Sequence, residues 1–377
     1  MTTEIIDRVV NLAVQIQQIP APTFHEGKRA AFVHDLFMSE GLSDVEMDDV
    51  GNVYARIPGG DESPGIIVSA HLDTVFPAKT DLSVVRKHDR IVAPGIGDNS
   101  LAIASLFGLW WMIGDRNLQI DGDVWLVANV GEEGLGDLKG MCAVVDRFGN
   151  EPLAYIVLEG ITYGRIYHRA LGVKRYRITC QTQGGHSWVN FGRPSAIHEL
   201  AILVSKLTEI PIPNTPRSSL NVGVITGGTS INTIAGFAQL EVDLRSEDLT
   251  TLWELSEQVL STVIRSADQD VQVHAEVIGE RPSGEISVEH PLVDLAKHVL
   301  LSQGVTPELN LASTDANIPL SMGLPAICIG ITTGGGAHTS DEFIHLGPIE
   351  KGLEQLIELT VRAFNELGDS DAAELDE

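Results

Sequence analysis

Residues 124–134 read VWLVANVGEEG, an apolar run that ends in two glutamates flanked by glycines. A run of this kind, without regular polar alternation, is typical of a strand buried on both faces of a sheet. Similar runs occupy residues 52–57, 66–70 and 154–158. Because helical stretches at 99–113 and 135–147 alternate with these runs, the sequence predicts an α/β fold. We expect a central, mostly parallel sheet that is sandwiched by helices.

The pattern changes near Leu171. From there the order of predicted elements is strand 172–181, helix 194–207, strands 220–225 and 237–245, helix 252–266 and strand 271–278. The order β-α-β-β-α-β is that of a ferredoxin-like split βαβ unit. We therefore predict a discontinuous domain of residues 1–170 and 283–377, with a second domain of residues 171–282 inserted into it.

Composition and charge exclude several classes of protein. The chain has 377 residues, 43% of them hydrophobic, and 52 acidic against 25 basic side chains give a net charge of −27. An acidic surface repels phosphate and anionic lipid, so neither nucleic acid nor a membrane is an expected partner. The longest apolar stretch, Leu101–Ile113, is too short to cross a bilayer. Because the N-terminus carries acids where a signal peptide needs bases, and the three cysteines suit a reducing compartment, we expect a cytoplasmic protein.

Polar side chains follow the run 66–70, and another lies in a glycine-rich loop further along the chain. Residues i and i+2 of a strand share a face, so His71 and Asp73 project together, as a metal-binding imidazole and the carboxylate that holds it would. Taken alone, this spacing is explained better by a casual surface pair. Asp98 lies in the glycine-rich segment GIGDN, residues 95–99. It either lines a tight turn or caps the following helix.

Three further predicted strands are followed by acidic residues or by a histidine. Glu132 and Glu133 close the run that begins at Val124, and Gly134 permits a turn that would bring both into one cavity, although an exposed acidic loop is the alternative. Glu159 closes the run 154–158. His338 lies in the flexible loop GGGAHT, residues 334–339, which follows a predicted strand.

Five of these residues form one candidate metal site: His71, Asp98, Glu133, Glu159 and His338. Two imidazoles and three carboxylates suit a pair of divalent ions such as Zn²⁺, Co²⁺ or Mn²⁺. In a pair of metals one carboxylate normally bridges the two ions. Glu132 is then not needed as a metal ligand. Its carboxylate is available to accept a proton, as a general base must be.

As a set, these motifs resemble those of the two-metal, M20-type peptidase family. The family includes peptidase T, glutamate carboxypeptidase, succinyl-diaminopimelate desuccinylase and acetylornithine deacetylase. The resemblance covers nearly the whole chain, and it implies an α/β fold of the zinc-peptidase type with an inserted lid or dimerisation domain. It also implies one role for each residue: His71 and Glu159 bind one metal, Glu133 and His338 bind the other, Asp98 bridges, Asp73 orients His71 and Glu132 is the base.

The inserted domain carries further matches. The segment GGHS, residues 184–187, resembles a family motif whose histidine contacts the reacting carbonyl in the neighbouring subunit's site. This implies a catalytic role for His186 and a homodimer, although residues 188–190 depart from the usual family pattern. By the same resemblance Asn232 and Arg245 are expected to bind substrate. Arg245 has the alternative of an ion pair within its own sheet.

The implied activity is metal-dependent hydrolysis of amide bonds in short peptides, with two divalent ions per subunit, zinc being the expected metal. The cues to the substrate conflict. Glutamate at 159 is similar to the carboxypeptidase and desuccinylase branches, whereas residues 314–317 and 337–339 are similar to the peptidase T branch. Deacylation of an N-acyl amino acid by the same mechanism is the alternative. A non-catalytic metal-binding protein is disfavoured because Glu132 is present.

Overall fold

The structure is a computed structural model that describes residues 2–60 and 63–374. Its backbone contacts divide the chain into two compact units. The first consists of Met1–Ala170 together with Glu285–Glu377, and the second consists of Leu171–Gly284. The second unit is therefore an insertion in the sequence of the first.

The described residues contain nine α-helices, and a distorted helical turn, Ile96–Leu101, precedes the third of them. In chain order the helices are α1 (Thr2–Gln17), α2 (Gly27–Ser39), α3 (Ala102–Asp115), α4 (Lys139–Phe148), α5 (Ala196–Thr208), α6 (Leu249–Ile264), α7 (Pro291–Ser302), α8 (Asn317–Ser321) and α9 (Ile349–Glu374). Helices α5 and α6 belong to the second unit, and the others belong to the first.

The strands are short to medium in length. In chain order they are β1 (Ser43–Met47), β2 (Val53–Ile57), β3 (Ser63–His71), β4 (Val85–Arg86), β5 (Arg90–Val92), β6 (Gly122–Asn129), β7 (Ala154–Glu159), β8 (Arg165–Ala170), β9 (Gly172–Thr182), β10 (Gly185–His186), β11 (Ser218–Gly227), β12 (Thr233–Ile234), β13 (Phe237–Ser246), β14 (Val271–Arg281), β15 (Gly284–Glu285), β16 (Glu308–Ala312), β17 (Ala326–Gly330), β18 (Gly334–Gly335) and β19 (Phe343–His345).

The first unit is built on a mixed sheet with the strand order β1-β2-β6-β3-β7-β17-β8-β15, and β16 pairs with β8. The central strands β6, β3, β7 and β17 run parallel to one another. The pairs β1–β2, β2–β6 and β17–β8 are antiparallel. The predicted α/β sheet is confirmed, and it is mixed, with parallel pairing among the four central strands and between β8 and β16.

The central strands are buried, as their apolar sequences predict. All residues of β7 before Glu159 are buried, and Ile66, Ile67 and Val68 of β3 have no exposed surface. Such strands need cover by helices, and α3 and α9 pack on β3 and against each other.

The topology brings the candidate residues to one edge of the sheet. Parallel strands have their carboxyl ends at the same edge, which is where sites form in open α/β sheets. His71 is the last residue of β3, and Glu159 is the last residue of β7. Glu132 and Glu133 follow β6, and His338 lies in the loop after β17. A shared edge therefore explains why residues distant in sequence meet.

The distorted turn and α3 form one apolar helical stretch of 20 residues, Ile96–Asp115. By length and composition alone this stretch passes as a membrane span, and it is longer than the run at Leu101–Ile113 that the sequence suggests. However, 83% of its most apolar window is buried inside the protein. A core helix that packs against the sheet accounts for this composition.

The second unit contains a four-stranded antiparallel sheet with the order β11-β13-β9-β14. Helices α5 and α6 pack on this sheet through a separate hydrophobic core. The predicted ferredoxin-like βαββαβ arrangement is confirmed. Strand β11 forms one edge of the sheet, and a two-stranded ribbon of β10 and β12 carries His186.

Candidate metal centre

Asp98 lies between two imidazoles. Its Oδ1 is 3.2 Å from Nε2 of His71, and its Oδ2 is 3.1 Å from Nε2 of His338. One carboxylate therefore presents one oxygen to each histidine. This is the arrangement expected of a carboxylate that bridges two cations.

Each side of Asp98 has a second carboxylate. On one side, Oε1 of Glu159 is 4.0 Å from Nε2 of His71, and on the other, Oε1 of Glu133 is 3.2 Å from Nε2 of His338. The ligand atoms of His71, Asp98 and Glu133 all lie within 4.8 Å of one another. The structure thus brings together the five predicted ligands in two sets that share Asp98.

Negative charge dominates this cluster. Burial raises the pKa of Glu159 well above its ordinary value, and the charge of Asp98 adds to the effect. Hydrogen bonding to Asp98 and Glu133 raises the pKa of His338 to about 10. Burial favours neutral His71, but the carboxylates of Asp73 and Asp98 outweigh burial and raise its pKa. The side chain of His338 is about half exposed, and those of the other four candidate ligands are largely buried. Because carboxylates outnumber imidazoles in this site, the nitrogen and oxygen donors fit divalent cations.

Asp73 lies behind His71 and is fully buried. Its carboxylate accepts hydrogen bonds from the backbone N–H groups of Glu132 and Glu133, each at 2.9 Å, and from the Thr23 hydroxyl at 2.9 Å. The Nδ1 atom of His71 is 3.0 Å from the backbone carbonyl of Asp73 but 3.6 Å from its carboxylate. Contact with His71 is therefore made mainly by the main chain of Asp73. A proton on Nδ1 leaves Nε2 available to a metal.

Glu132 and Glu133 are both buried, so the alternative of an exposed acidic loop is wrong. The charge of Glu132 raises the pKa values of His71 and Glu159, which shows that its carboxylate lies near them. The turn predicted at Gly134 is present, with a φ of 57°. The backbone N–H groups of Glu132 and Glu133 both donate to the carboxylate of Asp73, and the turn follows directly. Both glutamates therefore lie in the candidate metal site.

Sequence reasoning missed two buried acids beside the cluster. Asp315 accepts a hydrogen bond from the Asn129 amide at 2.7 Å, and its charge raises the pKa of Glu159. Glu342 is fully buried beneath the loop that carries Asp98. Asp315 lies in the segment 314–317 and could have been found there. Glu342 follows another acid in an ordinary loop sequence, and no local signal distinguishes it.

In the second unit, His186 is exposed on the ribbon of β10 and β12. Its Nδ1 accepts hydrogen bonds from the backbone N–H groups of Trp188 and Val189 at 3.2 and 3.4 Å. The ring proton is therefore on Nε2, and within the described part of the chain nothing accepts from that atom. Asn190 closes the loop by accepting from His186 N–H at 2.9 Å and donating to its carbonyl at 2.9 Å. This asparagine supplies the loop closure where the sequence departs from the family pattern.

Asn232 is next to this ribbon, since its carbonyl accepts from Ser187 N–H at 3.0 Å. Arg245 lies on β13 and donates from Nε to Asp243 at 2.7 Å, so the ion pair within the sheet is present. Substrate binding by Asn232 and Arg245 stays a prediction.

A sheet with a parallel centre, and a cluster of imidazoles and carboxylates at the carboxyl ends of its strands, define a metal-dependent hydrolase. The sequence profile described as Peptidase family M20/M25/M40 matches residues 67–364, a segment that contains all five candidate ligands. The chain belongs to this peptidase family.

Curated relatives agree with this assignment. A peptidase M20 domain-containing protein of Schizosaccharomyces pombe is 26% identical over 68% of this chain and 65% of its own length. A probable carboxypeptidase of Arthroderma otae is 26% identical over 63% of this chain and 56% of its own length. The chain thus matches less than two thirds of the length of either protein.

Solved structures match over nearly the whole chain. Aminopeptidase PepT of Bacillus cereus has a TM-score of 0.76 at 22% identity, with 96% of this chain and 99% of that chain covered. The YXEP protein of Bacillus subtilis, a dinuclear metal-binding peptidase of the M20 family, has a TM-score of 0.68 at 17% identity, with 97% and 99% covered. At these identities the likeness establishes the fold.

Proposed function

We propose that this protein hydrolyses amide bonds of short peptides with the aid of two divalent cations. The observation that carries the proposal is the position of Asp98, which offers one oxygen to each of two histidines. His71 and Glu159 would hold one cation, Glu133 and His338 would hold the other, and Asp98 would bridge them. Zinc suits this donor set, and cobalt and manganese are the alternatives. Bound cations of this kind lower the pKa of water and polarise a carbonyl group.

Glu132 is the proposed general base. Its backbone N–H is fixed by Asp73 at 2.9 Å, which holds the residue at the edge of the cluster without making it a ligand. Glu132 would take the proton of the attacking water and pass it to the leaving amine. A positioned carboxylate in this role contributes roughly 10²–10⁴ to the rate.

His186 would complete the site from a second subunit. Its Nε2–H is a hydrogen-bond donor directed away from its own loop, and such a donor stabilises the negative charge that develops on a scissile carbonyl. Formation of a homodimer is supported by strand β11, an unpaired sheet edge. It is also supported by exposed apolar residues on this strand and on α5, namely Val224, Ile225, Ile197 and Ile202. Sedimentation of the wild type and of Ile225→Lys tests this, because the charge would hold the variant monomeric.

Short peptides are the proposed substrates, in line with the names of the related peptidases and carboxypeptidases. A panel of a tripeptide, a dipeptide and an N-acyl amino acid, with amino- or carboxyl-terminal products read by mass spectrometry, distinguishes the branches. Preferred cleavage of the N-acyl amino acid would favour the deacylase alternative. We also propose a cytoplasmic location, in keeping with the free cysteines Cys142, Cys180 and Cys328, and fractionation of cells tests it.

Metal removal is the direct test of the activity. Chelation should abolish hydrolysis, and added Zn²⁺, Co²⁺ or Mn²⁺ should restore it, because five ligands converge on the proposed ions. Elemental analysis of the same samples gives the metal content. Full activity in a sample verified to be metal-free would refute the proposed function.

A further inference from the structure

Glu342 is a fully buried residue whose carboxylate accepts hydrogen bonds from three backbone N–H groups at and before Asp98. Its Oε1 accepts from the N–H groups of Gly97 at 2.7 Å and Asp98 at 2.8 Å, and its Oε2 accepts from Gly95 N–H at 3.0 Å. Both oxygens are thus engaged by the loop that carries the central carboxylate of the cluster.

This loop needs such an acceptor. Asp98 and Asn99 have non-helical backbone angles, so the loop departs from the regular helix that follows it. A buried N–H group that loses its acceptor costs about 1–3 kcal/mol. The side chain of Glu342 therefore stabilises a conformation that helical hydrogen bonding does not supply.

Glu342 also joins two distant segments. It lies between β18 and β19, in the loop that also carries His338. Its backbone carbonyl accepts a hydrogen bond from Ala93 N–H at 2.9 Å. The next residue, Phe343, pairs with Val92 where β19 meets β5. The same residue therefore ties the segment with His338 to the segment with Asp98, whose side chains are 3.1 Å apart.

We propose that Glu342 is a positioning residue that holds Asp98 between the two histidines and so sets the affinity of the site for its cations. The inference rests on the proposed function, because it concerns the same metal centre. It adds a residue that touches neither cation nor substrate.

Glu342→Gln is the sharpest variant. An amide of the same shape has one oxygen, so its NH₂ group must face at least one of the three N–H donors and the loop loses part of its anchor. Chelator-stripped full-length protein is titrated with Zn²⁺ against a chromogenic chelator. We expect Zn²⁺ affinity to fall by about 10–100-fold, as for other residues that orient ligands. At saturating Zn²⁺, kcat should fall with little change in KM, and the absorption spectrum of the Co²⁺-loaded protein should change.

Asp48→Asn is the matched control. Asp48 also accepts from three backbone N–H groups, those of Val50, Gly51 and Asn52, but its turn carries no proposed ligand. All three bonds go to Oδ1, so an amide oxygen can keep them, but the NH₂ group would face the Asn52 side chain that donates to Oδ2. This variant should therefore lose stability and keep wild-type Zn²⁺ affinity. If Glu342→Gln binds Zn²⁺ with wild-type affinity, or if Asp48→Asn loses as much Zn²⁺ affinity as Glu342→Gln does, the positioning role is overturned.

If Glu342→Gln does not fold, Glu342→Asp is measured in its place. This variant keeps the charge but is shorter by one methylene, so it cannot reach donors on both sides and should also bind Zn²⁺ more weakly. Unchanged affinity overturns the proposal. A wild-type protein that binds none of Zn²⁺, Co²⁺ and Mn²⁺ would instead refute the proposed function, which keeps the two failures distinct.

Discussion

Replacement of Asp73 by asparagine tests how the two adjacent glutamates are held. In the wild type, Oδ1 of Asp73 accepts from Glu132 N–H, whereas Oδ2 accepts from Glu133 N–H and from the Thr23 hydroxyl. Asparagine keeps the shape but has one acceptor oxygen. Whichever way the amide turns, its NH₂ group faces one of the two backbone donors, and that donor loses its acceptor inside the protein.

The magnitude follows from this count of bonds. One orphaned buried N–H group costs about 1–3 kcal/mol. For a unit of this size each kcal/mol lowers the unfolding midpoint by about 2–4 °C, so we expect a decrease of roughly 2–12 °C. Zn²⁺ affinity should fall by about 10–100-fold, because the same carboxylate holds the backbone of Glu133, a proposed ligand.

Thermal unfolding of the metal-free protein and Zn²⁺ titration are the assays. Thr23→Val is the control, since it removes one hydrogen bond to Asp73 but leaves both backbone donors paired, at a cost of about 0.5–1.5 kcal/mol. If Asp73→Asn unfolds at the wild-type temperature, or loses no more stability than Thr23→Val, then the carboxylate does not hold the glutamate amides and the reasoning is refuted.

The stability difference should depend on pH. Burial opposes ionisation of Asp73, but His71 and the two backbone N–H groups outweigh it and lower the pKa. A carboxyl group with a lowered pKa in the folded state stabilises the protein above its unfolded pKa of about 4, and this contribution is lost as the pH falls through the folded value. The wild type should therefore exceed Asp73→Asn in stability at neutral pH, with the gap narrowing below about pH 4.

Substitutions at Glu132, His186 and Arg245 test the catalytic and binding roles. Glu132→Gln should lower turnover by roughly 10²–10⁴ with two metal ions still bound, and loss of metal from it but not from Glu133→Gln would reverse the two roles. Homodimers of His186→Ala and of Glu132→Ala should each be nearly inactive, whereas their heterodimer should regain activity at one site. Heterodimers without activity would contradict a shared site. Arg245→Ala should raise KM for substrates with a free carboxylate and spare amidated ones, whereas equal effects on both would limit Arg245 to its ion pair with Asp243.

The central part of the fold and the ligand cluster could be predicted because both depend on local patterns. Apolar runs predict parallel strands, and a polar residue after each run lies at the shared edge, as His71 and Glu159 do. The beginning of α4 was predicted at Leu135, but it lies at Lys139. Asp137 and Leu138 adopt positive φ angles that extend the turn after Glu133, and apolar periodicity does not report such angles.

The supporting contacts could not be predicted, since they depend on pairing between distant segments. Glu342 reaches Gly97 across 245 positions of sequence through the pairing of β19 with β5. The carbonyl of Asp73, rather than its carboxylate, makes the short contact with His71. Whether the carbonyl or the carboxylate contacts His71 depends on the backbone conformation of one turn. The spacing of His71 and Asp73 in the sequence is the same in both cases.

The position of β17 in the sheet has a consequence for how the chain is made. This strand lies between β7 and β8, both of which are synthesised before the inserted unit, whereas β17 is synthesised after it. As the polypeptide leaves the ribosome, the edge of β7 that pairs with β17 therefore stays unpaired until residues 326–330 emerge. His338 emerges later still. The candidate metal centre would thus stay incomplete until the segment that carries His338 has been synthesised.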